Sequence, residues 1–175
     1  MERRIDHRRI TMSITFNALE IFEMAEQIER NGAKFYRKAA QNISSQGISK
    51  MLLELAAMEE NHEQTFANMR KQISYKEREL ITFDPENEAS LYLQAMANGH
   101  VFDLKKDPCK QLKGKETVED ILKMAIEAEK DSIVFYLGLR DFVGFKAGKS
   151  KVEDIIREER GHIALLSRKL TALKK

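Results

Sequence analysis

The sequence predicts an all-α fold, a four-helix bundle built from two duplicated helical hairpins joined by one long crossover. Three observations carry this. Apolar or small residues recur at alternating spacings of four and three in four long segments, which is the period of an amphipathic helix face. Only 8 glycines and 2 prolines punctuate the 175 residues, too few for the turns of an all-β chain. The second half also repeats the first at an offset of 100 residues: Glu29, Phe35, Tyr36, Glu59 and His62 recur as Glu129, Phe135, Tyr136, Glu159 and His162.

The first stripe runs Ala18, Phe22, Ala25, Glu29, Gly32, Tyr36, Ala39, Ile43, with Asn17 and Glu20 in capping-box spacing at its start. The second runs Ile48, Leu52, Leu55, Glu59, His62, Phe66, Met69, Ile73. The third runs Val118, Leu122, Ala125, Glu129, Ser132, Tyr136, Leu139, Val143, with Thr117 as its N-cap. The fourth runs Val152, Ile155, Glu159, His162, Leu166, Lys169, Leu173, opened by Ser150 and Glu153. Ser44, Ser45 and Gly47 mark the turn inside the first pair; Gly144, Gly148 and Ser150 mark that inside the second. If the two copies face each other across a twofold axis perpendicular to the bundle, their turns lie at opposite ends. The crossover, at about residues 75–116, then runs the bundle's length, roughly 40 Å for helices of this size. A stretch that long is expected to hold structure of its own. A short helix is expected around Glu88–Ala97, with loop through Lys105, Asp107, Pro108 and Gly114.

Residues 1–12 read as a basic N-terminal tail and residues 13–175 as the bundle domain, with Met12 a second candidate start. The net charge of +2 resides in residues 1–11, since residues 12–175 carry 26 basic and 26 acidic side chains. A nucleic-acid partner is not expected, because such a protein carries its basic excess on the folded body. The N-terminus has no apolar stretch of signal-peptide type and no run is long enough to span a membrane. A cytoplasmic protein without a membrane partner is the expectation. A single cysteine, Cys109, excludes an intrachain disulfide and a four-cysteine metal site within these residues.

Each stripe has a carboxylate in its middle, where Leu or Ile is expected: Glu29, Glu59, Glu129 and Glu159. Removing a carboxylate from water costs several kcal/mol even after relaxation, so four in one core need compensation. Their register brings them together. Positions 44 and 144, the midpoints of the two Glu pairs, fall inside the two turns, so the carboxylates of each hairpin are level. Three residues after Glu59 and Glu159 come His62 and His162, each on the same helical face as its Glu. Four carboxylates and two neutral imidazoles suit two first-row divalent metals and give a neutral core.

At these residues the chain resembles a known family. The segments EQIERNGAKFY, LAAMEENHEQTF, MAIEAEKDSIVFY and IIREERGHIALL are similar to the four metal-binding helices of rubrerythrin-like members of the ferritin-like superfamily. The resemblance covers nearly everything from residue 17 to the C-terminus. It implies a ferritin-like bundle holding two iron ions, manganese being compatible with the same ligands. Glu59 and Glu159 would bridge the metals, while Glu29 with His62 and Glu129 with His162 would complete the two shells. No catalytic residue beyond these six is expected. Best-known members carry a rubredoxin domain, which one cysteine cannot form, so an external electron-donor protein is implied. They also carry a further carboxylate one turn after the third-helix Glu; Ser132 stands there, and Gly32 in the first copy. The site is therefore of the symmetrical six-ligand kind, and these two small residues are expected to leave space for the oxidant.

The resemblance implies a di-iron oxidoreductase that reduces hydrogen peroxide or dioxygen. Ferroxidase-like iron oxidation and storage, di-manganese catalase-like disproportionation, and a non-catalytic bundle stabilised by zinc are the competing readings. The long crossover also admits a homodimer with hairpins exchanged between chains. Around the six, Tyr36 and Tyr136 are open to two roles, core tyrosines or partners of a ligand carboxylate. Glu26 is expected at the surface, and Glu127 and Asp131 in solvent. His7, His100 and Cys109 lie in the tail or crossover and are not recruited.

Overall fold

A computed structural model of the chain describes residues 18–73, 91, 92, 95, 108–143 and 146–173. Four long helices dominate: α1 (Ala18–Asn42), α2 (Gln46–Gln72), α3 (Val118–Phe142) and α4 (Lys146–Ala172), with a 3-10 turn at Pro108–Gln111. The described residues contain no strand, and no described helix is long and apolar enough to cross a membrane. α1 packs along α2 and α3 along α4, so the bundle is a pair of helical hairpins. Of the helix expected in the crossover, Leu91, Tyr92 and Ala95 are helical; its bounds, like Asn17, fall outside the described residues.

The apolar core is split in two by the polar middle of the stripes. At one end, Phe22 and Ala25 of α1 pack with Phe66 and Met69 of α2, and with Leu139 of α3 and Val152 of α4. At the other, Tyr36 and Ala39 pack with Leu52 and Leu55, and with Leu122, Ala125 and Leu166. Each end thus joins the turn of one hairpin to the open end of the other. That is the antiparallel arrangement the duplication predicts. Leu112, just after the 3-10 turn, is buried in the second core, so the returning crossover is tied to the bundle there.

Thr117 caps α3 as expected: its hydroxyl accepts from the Asp120 N–H at 3.1 Å, and the Asp120 carboxylate accepts from the Thr117 N–H at 2.9 Å. Two details differ from the sequence reading. α4 begins at Lys146, so Gly148, Ser150 and Glu153 lie inside it and form no cap. A helical glycine costs only about 1 kcal/mol, and the extra turn buries Gly148. At the far end, Lys169 is exposed and Leu173 retains 49% of its surface, because α4 outruns the core it packs on.

Thr117→Ala is therefore expected to lower the melting temperature by about 2–4 °C, and Ser150→Ala to leave it unchanged. Thermal unfolding followed by circular dichroism separates the two; equal losses would mean that α4 starts at residue 150 after all.

Candidate metal centre

Glu29, Glu59, Glu129, Glu159, His62 and His162 are all buried, none more than 5% exposed, between the two apolar cores. One chain brings all six together. Two overlapping groups form: Glu29, Glu59, His62 and Glu159, and Glu59, Glu129, Glu159 and His162, with one donor atom of each member within 4.8 Å of the others. Glu59 and Glu159 belong to both. The hairpins interlock here, because His62 on α2 places Nδ1 2.9 Å from Glu159 Oε1 on α4 and 3.5 Å from Glu29 Oε2. His162 Nδ1 lies 2.8 Å from Glu159 Oε2, 3.3 Å from Glu59 Oε1 and 3.4 Å from Glu129 Oε1. The two imidazoles stack at 5.9 Å.

These short contacts do not satisfy the groups that make them. Glu29 Oε2, Glu59 Oε1, both Glu159 oxygens and Nδ1 of both histidines are buried without an aligned hydrogen-bond partner. Among the described residues, the other atom so stranded is Asn42 Nδ2. Buried polar groups are otherwise paired almost without exception. Carboxylate oxygens and imidazole nitrogens converging on shared points are the donor set that divalent first-row metals take, and such ions would satisfy the stranded atoms of these five residues.

Residues around the six fix their orientation. The Tyr36 hydroxyl donates to Glu129 Oε1, and the Tyr136 hydroxyl to Glu29 Oε1. Each tyrosine thus holds a carboxylate of the opposite hairpin, not of its own stripe. Both hydroxyls have their pKa raised well above the ordinary tyrosine value by burial, then by the nearest carboxylate, so they stay donors. Glu26, expected at the surface, is instead buried and held by Arg70, Nε to Oε1 at 2.6 Å and Nη2 to Oε2 at 3.0 Å. That bidentate pair ties α1 to α2 and keeps Glu26 out of the cluster. Glu127 is exposed and Asp131 half-buried; neither joins the centre.

The rubrerythrin family profile matches residues 20–170. The chain belongs to the rubrerythrin family. Among solved structures, a protein from Thermotoga maritima described as a ferritin-like diiron-carboxylate protein superposes with a TM-score of 0.72 at 25% identity, covering 90% of this chain and 96% of that one. Curated proteins include no match to the chain. Family and fold together support a diiron protein, and the buried Glu and His cluster is the candidate metal site among the described residues.

In this rubrerythrin-family chain, protons balance the buried charge when metal is absent. His62 and His162 are each pushed up to about 12: burial opposes the charged ring, but the surrounding carboxylates outweigh it. Burial, then the neighbouring carboxylates, raises Glu59 well above the usual range. Glu129 is lifted to about 8, burial again being the largest cause. Glu159 moves the other way. Burial opposes its charge, but the two imidazoles beside it hold its carboxyl below the usual range.

Metal ligation requires neutral imidazole and ionised carboxylate. With the pKa of both imidazoles pushed up to about 12 by the carboxylates around them, filling the centre at pH 7 is expected to release at least two protons per chain. Affinity for Fe²⁺ or Co²⁺ should therefore rise with pH through neutrality. Indicator absorbance in weakly buffered solution measures the release; metal uptake without it would show that the imidazoles are not ligands.

Gly32 was expected to make room for an oxidant, and the structure gives it a nearer neighbour. A Cβ at this position would stand 3.2 Å from Glu59 Oε2 and 3.4 Å from its Cδ and Cγ. The missing side chain relieves Glu59 of a tight contact, which a Cβ would impose. Gly32→Ala is expected to leave the metal-free fold intact, since Ala favours helix by about 1 kcal/mol. It should weaken metal binding about tenfold by displacing Glu59, as loss of a ligand's supporting contact does. Calorimetric titration checks this, and an unchanged affinity would show that Glu59 yields freely.

Proposed function

We propose that this protein is a di-iron oxidoreductase that reduces hydrogen peroxide or dioxygen with electrons from a separate donor protein. Glu29 and His62 would hold one iron, Glu129 and His162 the other, and Glu59 and Glu159 would bridge them. The observation that carries this reading is the pair of interlocked four-residue groups that share two buried carboxylates. Iron, and not the manganese these donors also accept, is assigned on the family and on the solved neighbour.

When bound, a ferrous pair supplies the two electrons needed to cleave an O–O bond. The chain's own residues do the rest. The six donors are held before metal arrives, by Tyr36 and Tyr136 on two of the carboxylates and by the apolar cores above and below. Burial excludes water and strengthens every electrostatic contact inside the site. Because Tyr136 engages Oε1 of Glu29, its Oε2, buried beside His62 without a hydrogen-bond partner, is left for a metal. A single cysteine cannot make a four-cysteine iron site within these residues, which supports a separate electron donor.

The test is stopped-flow oxidation of anaerobically iron-loaded protein mixed separately with peroxide and with dioxygen. Two irons per chain should be oxidised by at least one of them, and the faster names the physiological oxidant class. Glu59→Gln and Glu159→Gln should each abolish the reaction. A filled centre that neither oxidant touches would overturn the proposal and leave a structural metal site.

A further inference from the structure

The duplication permits a direct comparison, since positions 100 residues apart occupy equivalent places around the centre. All six candidate ligands obey this pairing. The residues just before the two shared carboxylates break it, because Met58 stands where the second copy has Glu158. Both reach the centre from outside, each touching the outer nitrogen of the opposite hairpin's imidazole. His62 Nε2 lies 2.9 Å from Glu158 Oε2, and His162 Nε2 lies 3.3 Å from Met58 Sδ.

Nδ1 of both rings points into the carboxylate cluster, so a neutral ring ligating through Nδ1 carries its proton on Nε2. On His62 that N–H donates to a carboxylate. On His162 it faces a thioether, a weak acceptor. A carboxylate on the far nitrogen fixes the tautomer and ring orientation and makes the imidazole a stronger base, and losing such a partner commonly costs 10–100-fold in metal affinity. The Glu158 side chain is 55% exposed while the His62 ring it bonds is 4% exposed, so a surface residue acts on a buried ligand.

We infer that Glu158 makes the two metal positions unequal. The position built on Glu29 and His62 binds a divalent ion more tightly and fills first; the one built on Glu129 and His162, backed by Met58, fills second. Glu158 is a positioning residue, acting only through His62. This inference rests on the two-metal reading above, and it adds to it a half-filled state with the ion on the His62 side.

The test is anaerobic titration of the metal-free full-length chain with Co²⁺, followed by calorimetry and by ligand-field absorption. The wild-type isotherm should resolve two steps whose dissociation constants differ by about tenfold or more. Glu158→Met should weaken the first step and bring the two together. Met58→Glu should tighten the second step, which a merely disruptive change cannot do. Glu158→Asp should restore part of the separation lost in Glu158→Met. Two ions binding with equal affinity, or a separation that neither Glu158→Met nor Met58→Glu alters, overturns this inference and leaves the two-metal reading standing. Failure of the chain to bind two ions overturns both.

Discussion

Four carboxylates and two imidazoles sit in the middle of a bundle that is apolar above and below them, and the rest of the molecule is arranged around that fact. A buried, unpaired carboxylate costs several kcal/mol, and Glu29, Glu59, Glu129 and Glu159 are each at most 5% exposed. The chain offsets this cost by making all six meet. Each hairpin places its pair of Glu residues level, and the hairpins lie with their turns at opposite ends, so the two levels coincide. A side chain at Gly32 would crowd the Glu59 carboxylate, 3.2 Å from where its Cβ would stand. Tyr36 and Tyr136 cross from one hairpin to the other to hold carboxylates that a metal would otherwise have to orient alone.

The six centre residues were legible from the sequence because they follow from helix period alone. A Glu at a core position, a His three residues on and a repeat at 100 residues all survive any change in how the helices rotate against one another. What periodicity cannot supply is which neighbour a side chain meets across an interface. Tyr36 lies on the same stripe as Glu29, yet it bonds Glu129. Glu26 looked like a surface residue because its partner, Arg70, lies 44 positions away on another helix. The start of α4 was misplaced for a different reason. Gly148 and Ser150 carry turn chemistry, but local preferences of about 1 kcal/mol yield to the packing of an added helical turn.

The duplication also shows where the two copies have diverged. Inner donors are identical in type and register. Outside them, Gly32 faces the Glu59 carboxylate while its counterpart Ser132 turns its hydroxyl back to the Ala128 carbonyl at 3.0 Å. Met58 and Glu158 differ in charge at equivalent places. A symmetrical set of ligands therefore sits inside an unsymmetrical surround. Those differences fall on residues that support the donors, where a change alters the strength of a ligand without removing it.

Stability and site chemistry are also kept apart in space. Each end of the bundle has its own closed apolar core, with Phe22, Phe66 and Leu139 at one end and Leu52, Leu55 and Leu122 at the other. Burying such side chains contributes about 1.5–3 kcal/mol each, and none of it depends on what fills the middle. The centre can then exchange protons for metal as a local event. The carboxylates around His62 and His162 push their pKa up to about 12 against the effect of burial, which favours the charged rings. Bound metal ions would take over the same role of neutralising those carboxylates. The cage would not need rebuilding to accept them, because Tyr36 and Tyr136 already hold two of its carboxylates in place.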